Sequence, residues 1–409
     1  RVVMTDRRTF IAQTAGALAA VAIAPEIAFA APRRRGQAKK LAVIGIGRQG
    51  RAILDELRKL DAVEVAAVCD VVPTRVRAGL ERAAGAAAFD DHRKLLDERP
   101  DIEGIIVATP THLHREIVED ALAAGRHVYC EAPLASTEED ARAIAAAAAA
   151  SGRVFRPGLL ARSNPIYRRT LLLVRSDSIR DVVSLYAQHH RKTSWRVPAP
   201  DRALERAFNW RLDPDVSIGL AGELASHQID VFTFLRGRPP VRVEGTGSIR
   251  LHRDGRSMPD TIHLRVHWDD GVILTYQATL ANSYGGEYEV LYGTHGAVRL
   301  AGTHGWFFKE TDAPTQGWEV YAARQQFHGE EGIVLVADAT RLAAQGRLQE
   351  GAGLEHPPLY YALADFVRSI VEGEAPAATA EDGLRATLVG IAAHRAVMQG
   401  GVVEVSAPA

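Results

Sequence analysis

Cysteine is scarce in this chain. Only two occur among the 409 residues, Cys69 and Cys130, and each directly precedes an acidic residue at the predicted end of a strand. If these are the second and fifth strands of a sheet ordered 3-2-1-4-5, about 14 Å separates them, whereas a disulfide needs Cα atoms within about 7 Å. We therefore predict two free thiols and no disulfide framework.

Other features are also missing. The sequence has no C-x-x-C, no H-E-x-x-H and no acidic triplet with metal spacing, so we predict no metal site. The formal net charge is −1, which argues against a general nucleic-acid binder. No apolar run is long enough for a transmembrane anchor. With 47% hydrophobic and 24% charged residues, the composition is that of a globular protein long enough for two domains.

The N-terminal segment has the layout of an export signal. Two arginines, Arg7 and Arg8, precede a weakly apolar stretch over 11–24, and Ala28-Phe29-Ala30 has the small-x-small pattern of a cleavage site. This order is typical of a twin-arginine signal. We predict a signal peptide over 1–30, a linker over 31–38, and a periplasmic or secreted protein.

Two kinds of periodicity divide the remainder. From residue 39, short apolar runs alternate with helical spacing, which predicts a parallel sheet covered by helices on both faces. From about residue 180, six runs with period-two alternation predict an antiparallel sheet, and helices over 359–372 and 381–399 close the chain. We predict an α/β Rossmann domain (39–157) followed by an α+β substrate-binding domain (158–409) with an open, mainly antiparallel sheet.

A glycine motif follows the first predicted strand. Gly45, Gly47 and Gly50 form G-x-G-x-x-G between a strand and a helix, with Arg48 and Gln49 inside the motif. Such a turn lets backbone N–H groups and the helix N-terminus bind a pyrophosphate. Asp70 lies 20 residues after Gly50, where a carboxylate accepts hydrogen bonds from the ribose hydroxyls and repels a 2′-phosphate. The pattern favours NAD over NADP.

At two further places the chain resembles the Gfo/Idh/MocA family of sugar and cyclitol oxidoreductases. Its T-P-x-H-x-H segment corresponds to 109–114, and its helix motif D-x-x-x-H-x-x-D corresponds to Glu223, His227 and Asp230, with Glu in place of the first Asp. The resemblance spans 39–400. It implies a second-domain sheet used for homo-oligomerisation, and it adds to the expected cofactor-binding residues Thr109, Pro110, His112, Glu131 and Pro133.

The helix motif predicts the catalytic group. Oxidation of a secondary alcohol needs a base for the hydroxyl proton, and an imidazole suits that task near neutral pH. We predict His227 as the base and Glu223, one turn earlier, as the acceptor that orients its ring. Asp230 would hold a substrate hydroxyl or share the orienting role. In isolation, the same three residues would also fit a surface i,i+4 pair with a capping carboxylate.

One position departs from the family. Ala132 stands where the family usually has a lysine that hydrogen-bonds the reacting hydroxyl, and of the six lysines only Lys192 is expected to reach the cleft. The segment 191–218 also carries Trp195, Trp210 and Arg211, which we expect to line a sugar cleft by stacking and hydrogen bonding, although core packing explains the tryptophans about as well.

These observations predict an NAD-dependent oxidoreductase acting on a secondary hydroxyl of a sugar, glycoside or cyclitol. An exported enzyme cannot draw on cytoplasmic NAD, so we expect the cofactor to stay bound. The first alternative is a redox-neutral NAD-dependent glycosidase, which oxidises the sugar, eliminates the leaving group, adds water and reduces the product again. The second alternative is a non-catalytic sugar-binding protein.

Overall fold

The computed structural model describes residues 37–316, 319, 324–327, 330–335 and 353–408. The predicted export signal and nearly all of the predicted linker lie outside the described residues.

In chain order the strands are β1 (Lys39–Ile44), β2 (Val63–Cys69), β3 (Ala87–Phe89), β4 (Gly104–Val107), β5 (His127–Cys130), β6 (Phe155–Pro157), β7 (Val182–His190), β8 (Arg242–Ser248), β9 (Thr261–His267), β10 (Ile273–Thr279), β11 (Glu287–Gly293), β12 (Gly296–Ala301), β13 (His304–Lys309), β14 (Arg324–Phe327), β15 (Glu330–Val334) and β16 (Val402–Glu404). The helices are α1 (Arg48–Leu57), α2 (Pro73–Leu80), α3 (His92–Glu98), α4 (His114–Ala123), α5 (Glu138–Ser151), α6 (Pro165–Arg175), α7 (Glu205–Phe208), α8 (Ser226–Arg236), α9 (Pro358–Glu372) and α10 (Ala380–Gln399).

The first sheet is parallel and has the order β3-β2-β1-β4-β5-β6. This confirms the predicted Rossmann fold and adds a sixth strand at the edge. Cys69 and Cys130 end β2 and β5, which β1 and β4 separate, and both are buried free thiols as predicted. Burial raises the pKa of Cys69 to about 12, so this thiol stays protonated at neutral pH.

The second sheet has ten described strands in the order β14-β15-β13-β12-β11-β7-β10-β9-β8-β16. All six strands predicted from alternation are present, and the sheet is antiparallel except for the pair β7 and β10. The remaining four strands gave no usable alternation. For example, β13 reads HGWFFK, and β16 has only three residues.

Helix α8 covers one face of this sheet. Ile229 and Phe232 of α8 belong to the same buried cluster as Leu185 and Ala187 of β7 and Tyr276 of β10. The alternation of β7 therefore turns residues 185, 187 and 189 toward α8. The opposite face of the sheet carries Tyr186, Tyr288 and Tyr292, on the other side of the pleat.

The closing helices connect the two domains. Leu363 and Phe366 of α9, which lies in the predicted second domain, pack with Ile106 and Tyr129 of the Rossmann sheet. A buried ion pair fixes the same contact, because Arg156 of β6 donates from Nε to Oδ2 of Asp365 at 2.9 Å. In the part of the chain that the structure describes, no helix is long and apolar enough to cross a membrane.

Candidate active site

The glycine turn has the shape that a dinucleotide requires. Gly45 has φ +93°, and a Cβ there would lie 2.6 Å from the Ala108 carbonyl carbon. A Cβ on Gly50 would lie 1.9 Å from the Gly45 oxygen, whereas one on Gly47 would meet no atom within 4 Å. Gly45 and Gly50 thus permit the tight turn and the close packing of α1, and Gly47 leaves open space in front of the backbone. This arrangement fits a pyrophosphate.

Asp70 lies beside this turn at the end of β2. Its Oδ2 accepts a hydrogen bond from the N–H of Ile46 at 2.7 Å, and its Oδ1 accepts from the N–H of Val72 at 2.9 Å. The carboxylate is therefore held rigidly at the ribose end of the expected cofactor site. A carboxylate at this place agrees with the predicted preference for NAD over NADP.

The predicted nicotinamide end lies beyond β4 and β5. The hydroxyl oxygen of Thr109 and the Nδ1 of His112 are buried, and neither has a hydrogen-bond partner among the described residues. Pro110 precedes a short 3₁₀ turn over Thr111–Leu113, and a cis peptide bond joins Ala132 to Pro133. The unpaired polar atoms fit a bound group that supplies their partners, as the amide and ribose of NAD would.

Glu131 connects this end to the glycine turn. Its Oε1 accepts a hydrogen bond from Nε2 of Gln49 at 3.1 Å. Burial raises the pKa of Glu131 to about 7, against the opposing effects of Gln49 and Arg156. Arg48, at the start of α1, has its pKa lowered by burial and by the charges of Arg191 and Arg211. The charges of two arginines from other parts of the chain therefore act on Arg48.

His227 lies at the carboxyl edge of the Rossmann sheet. Its Nε2 is 3.1 Å from the carbonyl oxygen of Ala132, the residue at the position of the missing lysine. A carbonyl oxygen only accepts, so Nε2 carries the proton and the neutral ring has its lone pair on Nδ1. Burial lowers the pKa of His227, although Glu287 and Asp230 act in the opposite direction. The Nδ1 atom is therefore free to accept a proton at neutral pH.

The predicted hydrogen bond from His227 to Glu223 is not present in the structure. Glu223 instead accepts from the hydroxyl of Thr111 at 2.9 Å and lies 3.5 Å from Nε of Arg211. The reason is a π-helical turn over Ala221–Ala225, which adds residues to the turn and breaks the stripe expected from α-helical spacing. The carbonyl of Ala132 takes the orienting role that the sequence assigned to Glu223.

Asp230 also has a partner that the sequence did not indicate. It forms a bidentate ion pair with Arg162, whose Nε and Nη2 donate at 2.9 and 2.8 Å, and only 2% of Asp230 is exposed. Arg162 also contacts Asp382 of α10 at 3.0 Å. Both carboxylate oxygens of Asp230 therefore already accept hydrogen bonds from a guanidinium. Its charge still acts on His227.

The predicted substrate residues divide into two groups. Trp210 is buried, with its ring 6.0 Å from that of His112, and the guanidinium of Arg211 lies 4.3 Å from the Trp210 ring and 5.8 Å from the Trp195 ring. These three side chains therefore lie next to one another, beside the turn after β4. Lys192 is exposed, and its backbone N–H donates to the hydroxyl oxygen of Ser283 at 2.7 Å.

The sequence reasoning missed acidic residues on the inner face of β11. Glu287 pairs across the strands with His189, whose Nδ1 lies 3.3 Å from Oε2 of Glu287, on the face that α8 covers. Two residues on, Glu289 accepts from Tyr167 and from Gln228 at 2.7 Å each. Alternation could have revealed both acids, because they share a face with the buried Leu291.

The state of Glu289 predicts an unusual dependence of stability on pH. Burial raises its pKa to about 8, and the charge of Glu287 acts in the same direction. The folded state therefore binds more protons than the unfolded state, and the carboxyl destabilises the fold as pH rises from about 4.5 toward 8. Glu289→Gln should raise the free energy of unfolding by about 1–3 kcal/mol at about pH 8, and the gain should vanish near about pH 5.

Urea unfolding at both pH values measures this effect. Glu287→Gln is the matched control, because burial raises the pKa of Glu287 but the hydrogen bond from His189 and the charges of His227 and Arg191 outweigh it. The net lowering means that Glu287→Gln should bring less stabilisation at about pH 8 than Glu289→Gln does. A gain for Glu289→Gln that is equal at both pH values would contradict the interpretation.

Among the described residues, no group of three or more His, Cys, Asp or Glu is placed to hold a metal ion.

Both domains match a known protein family. Residues 39–159 match the oxidoreductase family with an NAD-binding Rossmann fold, and residues 173–405 match the C-terminal alpha/beta domain of that family. Myo-inositol 2-dehydrogenase of Thermotoga maritima is 23% identical over 359 residues, which cover 88% of this chain and 96% of that enzyme. Inositol 2-dehydrogenase 1 of Saccharopolyspora erythraea is 27% identical over 375 residues, with coverage of 90% and 96%.

A solved structure shares the architecture. Levoglucosan dehydrogenase in complex with NADH and levoglucosan matches with a TM-score of 0.71 and 21% identity, over 90% of this chain and 100% of that one. The fold is therefore the same, while the sequence has diverged widely. Since both of its domains match and the glycine turn is intact, this chain belongs to the Gfo/Idh/MocA family of NAD-binding oxidoreductases.

Proposed function

We propose that the protein oxidises a secondary hydroxyl of a sugar, glycoside or cyclitol, with His227 as the base. The observation that carries this proposal is the hydrogen bond between His227 Nε2 and the Ala132 carbonyl. It holds an imidazole of the second domain at the edge of the sheet where a Rossmann fold places the reactive end of its cofactor. The inositol and levoglucosan dehydrogenases among the similar proteins support this class of substrate.

The residues present can perform the proton transfer. As the hydroxyl is oxidised, its proton passes to Nδ1 of His227, and the resulting imidazolium keeps its Nε2–H on the Ala132 carbonyl. The charges of Asp230 and Glu287 stabilise that cation, since both act to raise the pKa of His227. Bound NAD supplies the acceptor for the hydride that leaves the substrate carbon. Glu223 contacts both Thr111 and Arg211. These polar side chains would bind further hydroxyls of the substrate.

A redox-neutral glycosidase is the second candidate, and it rests on a resemblance at Ala132. The NAD-dependent glycosidases that this chain resembles include some without the family lysine. The same His227 could serve transient oxidation, elimination, water addition and re-reduction. In that scheme the hydride returns to the sugar, and the cofactor ends each cycle unchanged.

The N-terminal pattern bears on the location of the enzyme, and the second sheet bears on its oligomeric state. The two arginines at 7 and 8 support export in the folded state, with the cofactor bound beforehand and retained. The aromatic outer face of the second sheet, where Tyr292 is 41% exposed, supports a homo-oligomer formed through that sheet.

One assay of the purified full chain separates these functions. The protein is denatured to measure its NAD and NADP content, and the intact holoprotein is mixed with myo-inositol, levoglucosan and a panel of aryl glycosides. A dehydrogenase should change the nicotinamide absorbance and give a keto product in equal amount. A glycosidase should release the aglycone without net redox change. Sugar binding without either change would overturn both proposals and leave a non-catalytic sugar-binding protein.

A further inference from the structure

The segment Trp195–Asp213 contacts the Rossmann domain at two separated places. The guanidinium of Arg75, in α2, lies 4.1 Å from the ring of Phe208. Two residues later, the ring of Trp210 lies 6.0 Å from His112 in the turn after β4. We refer to Trp195–Asp213 as the clasp.

The sheet order shows what lies between these two contacts. Arg75 follows the end of β2 and His112 follows the end of β4, and in the sheet these strands flank β1. The turn from Gly45 to Gly50 leaves the end of β1, so the clasp contacts the protein on both sides of that turn. In a Rossmann fold this is the groove that holds the dinucleotide, with the ribose of the adenosine near the end of β2.

The clasp is stiffened by its own hydrogen bonds. The side chain of Asn209 accepts from the N–H of Val197 at 2.8 Å and donates to the carbonyl oxygen of Val197 at 3.0 Å, and Asn209 is buried. Near its start, Arg196 donates from Nε to Asp254 at 2.8 Å, which ties the clasp to the second domain. The segment is therefore a rigid arm of the second domain that reaches across the first.

One arginine of the clasp acts on the glycine turn. Burial lowers the pKa of Arg48 in that turn, and the charges of Arg191, beyond β7, and Arg211, in the clasp, act in the same direction. The two negative charges of a pyrophosphate in the groove would offset this repulsion. Binding of the dinucleotide and the contacts of the clasp should then stabilise each other.

We propose that the clasp retains the dinucleotide, with Phe208 and Arg75 closing the groove at the adenosine end. The proposal deepens the retained-cofactor part of the proposed function and rests on NAD binding by the family, independently of the substrate. Phe208 and Arg75 are positioning residues, because they act on cofactor release and not on the reacting atoms.

The test is the rate at which the purified full chain releases NADH into a trap of excess NADH-consuming enzyme. Phe208→Ala should speed release roughly 2- to 30-fold, the range expected for loss of one cation–π contact. Phe208→Tyr should restore slow release, since it keeps the aromatic face. Leu204→Ala is the matched control, because Leu204 is an exposed apolar residue of the same segment.

The outcomes are distinct. Faster release from Phe208→Ala, with unchanged release from Phe208→Tyr and Leu204→Ala, supports the clasp. Release at the wild-type rate from Phe208→Ala overturns it, and so does a wild-type chain that exchanges NADH freely. Should Phe208→Ala fail to fold, Arg75→Met removes the same contact from the Rossmann side and must give the same acceleration. Slow release from a protein that converts no sugar would refute the proposed function and leave the clasp standing.

Discussion

His227→Ala should reduce kcat/KM for the oxidised sugar by about 10²- to 10⁴-fold, the contribution expected of a positioned general base. Retention of NAD should be unchanged, because the ring contacts the Ala132 carbonyl and is absent from the glycine turn. The measurement is single-turnover reduction of the bound nicotinamide, which isolates the chemical step from product release. His263→Ala, at an exposed histidine of β9, is the matched control and should react at the wild-type rate.

The same account predicts the pH profile. Burial lowers the pKa of His227, so the neutral base persists below the ordinary histidine value of about 6.5. The rate should therefore fall only as pH drops below that value, and this acidic limb should be absent from His227→Ala. An unchanged acidic limb in the variant, or activity near the wild-type level, would show that another group is the base.

Asp230→Asn should lower the free energy of unfolding by about 3 kcal/mol, toward the lower end of the cost of breaking a buried ion pair. The physical reason is that Arg162 would keep its charge in a buried site with only Asp382 as a partner. Urea unfolding at neutral pH measures the loss. If Asp230 serves substrate binding alone, stability should stay at the wild-type value while KM rises.

A double variant supplies the control. Replacing both partners, as Arg162→Met with Asp230→Leu, removes the two charges together. The double variant should lose less free energy of unfolding than Arg162→Met alone or Asp230→Leu alone. A double variant that loses as much as the sum of the two single variants would mean that the residues are not coupled.

Local sequence information was sufficient for most of the architecture. The glycine spacing at 45–50, the acid at 70 and the period-two runs from 182 to 301 specify elements whose geometry depends on near neighbours along the chain. His227 became a candidate base for the same reason, since its helix and its family motif are local features. The six expected strands of the second sheet all formed.

The partners of these side chains depend on tertiary structure. The π-helical turn at 221–225 redirected Glu223 to Thr111, and no residue in that turn indicates it. Arg162 reaches Asp230 across 68 positions of sequence. The group that orients His227 is a backbone carbonyl, which every residue possesses, so residue types alone could not reveal it. By contrast, the alternation of β11 did indicate that Glu287 and Glu289 lie on the same face as the buried Leu291.

The most direct test of the central claim is a crystal structure of the full chain with NAD and myo-inositol bound. We expect Nδ1 of His227 within about 2.6–3.2 Å of a ring hydroxyl whose carbon faces the nicotinamide. The Nε2 atom should remain on the Ala132 carbonyl. A substrate hydroxyl held instead by Lys192 or Glu131, with the His227 ring out of reach of both substrate and nicotinamide, would contradict the account.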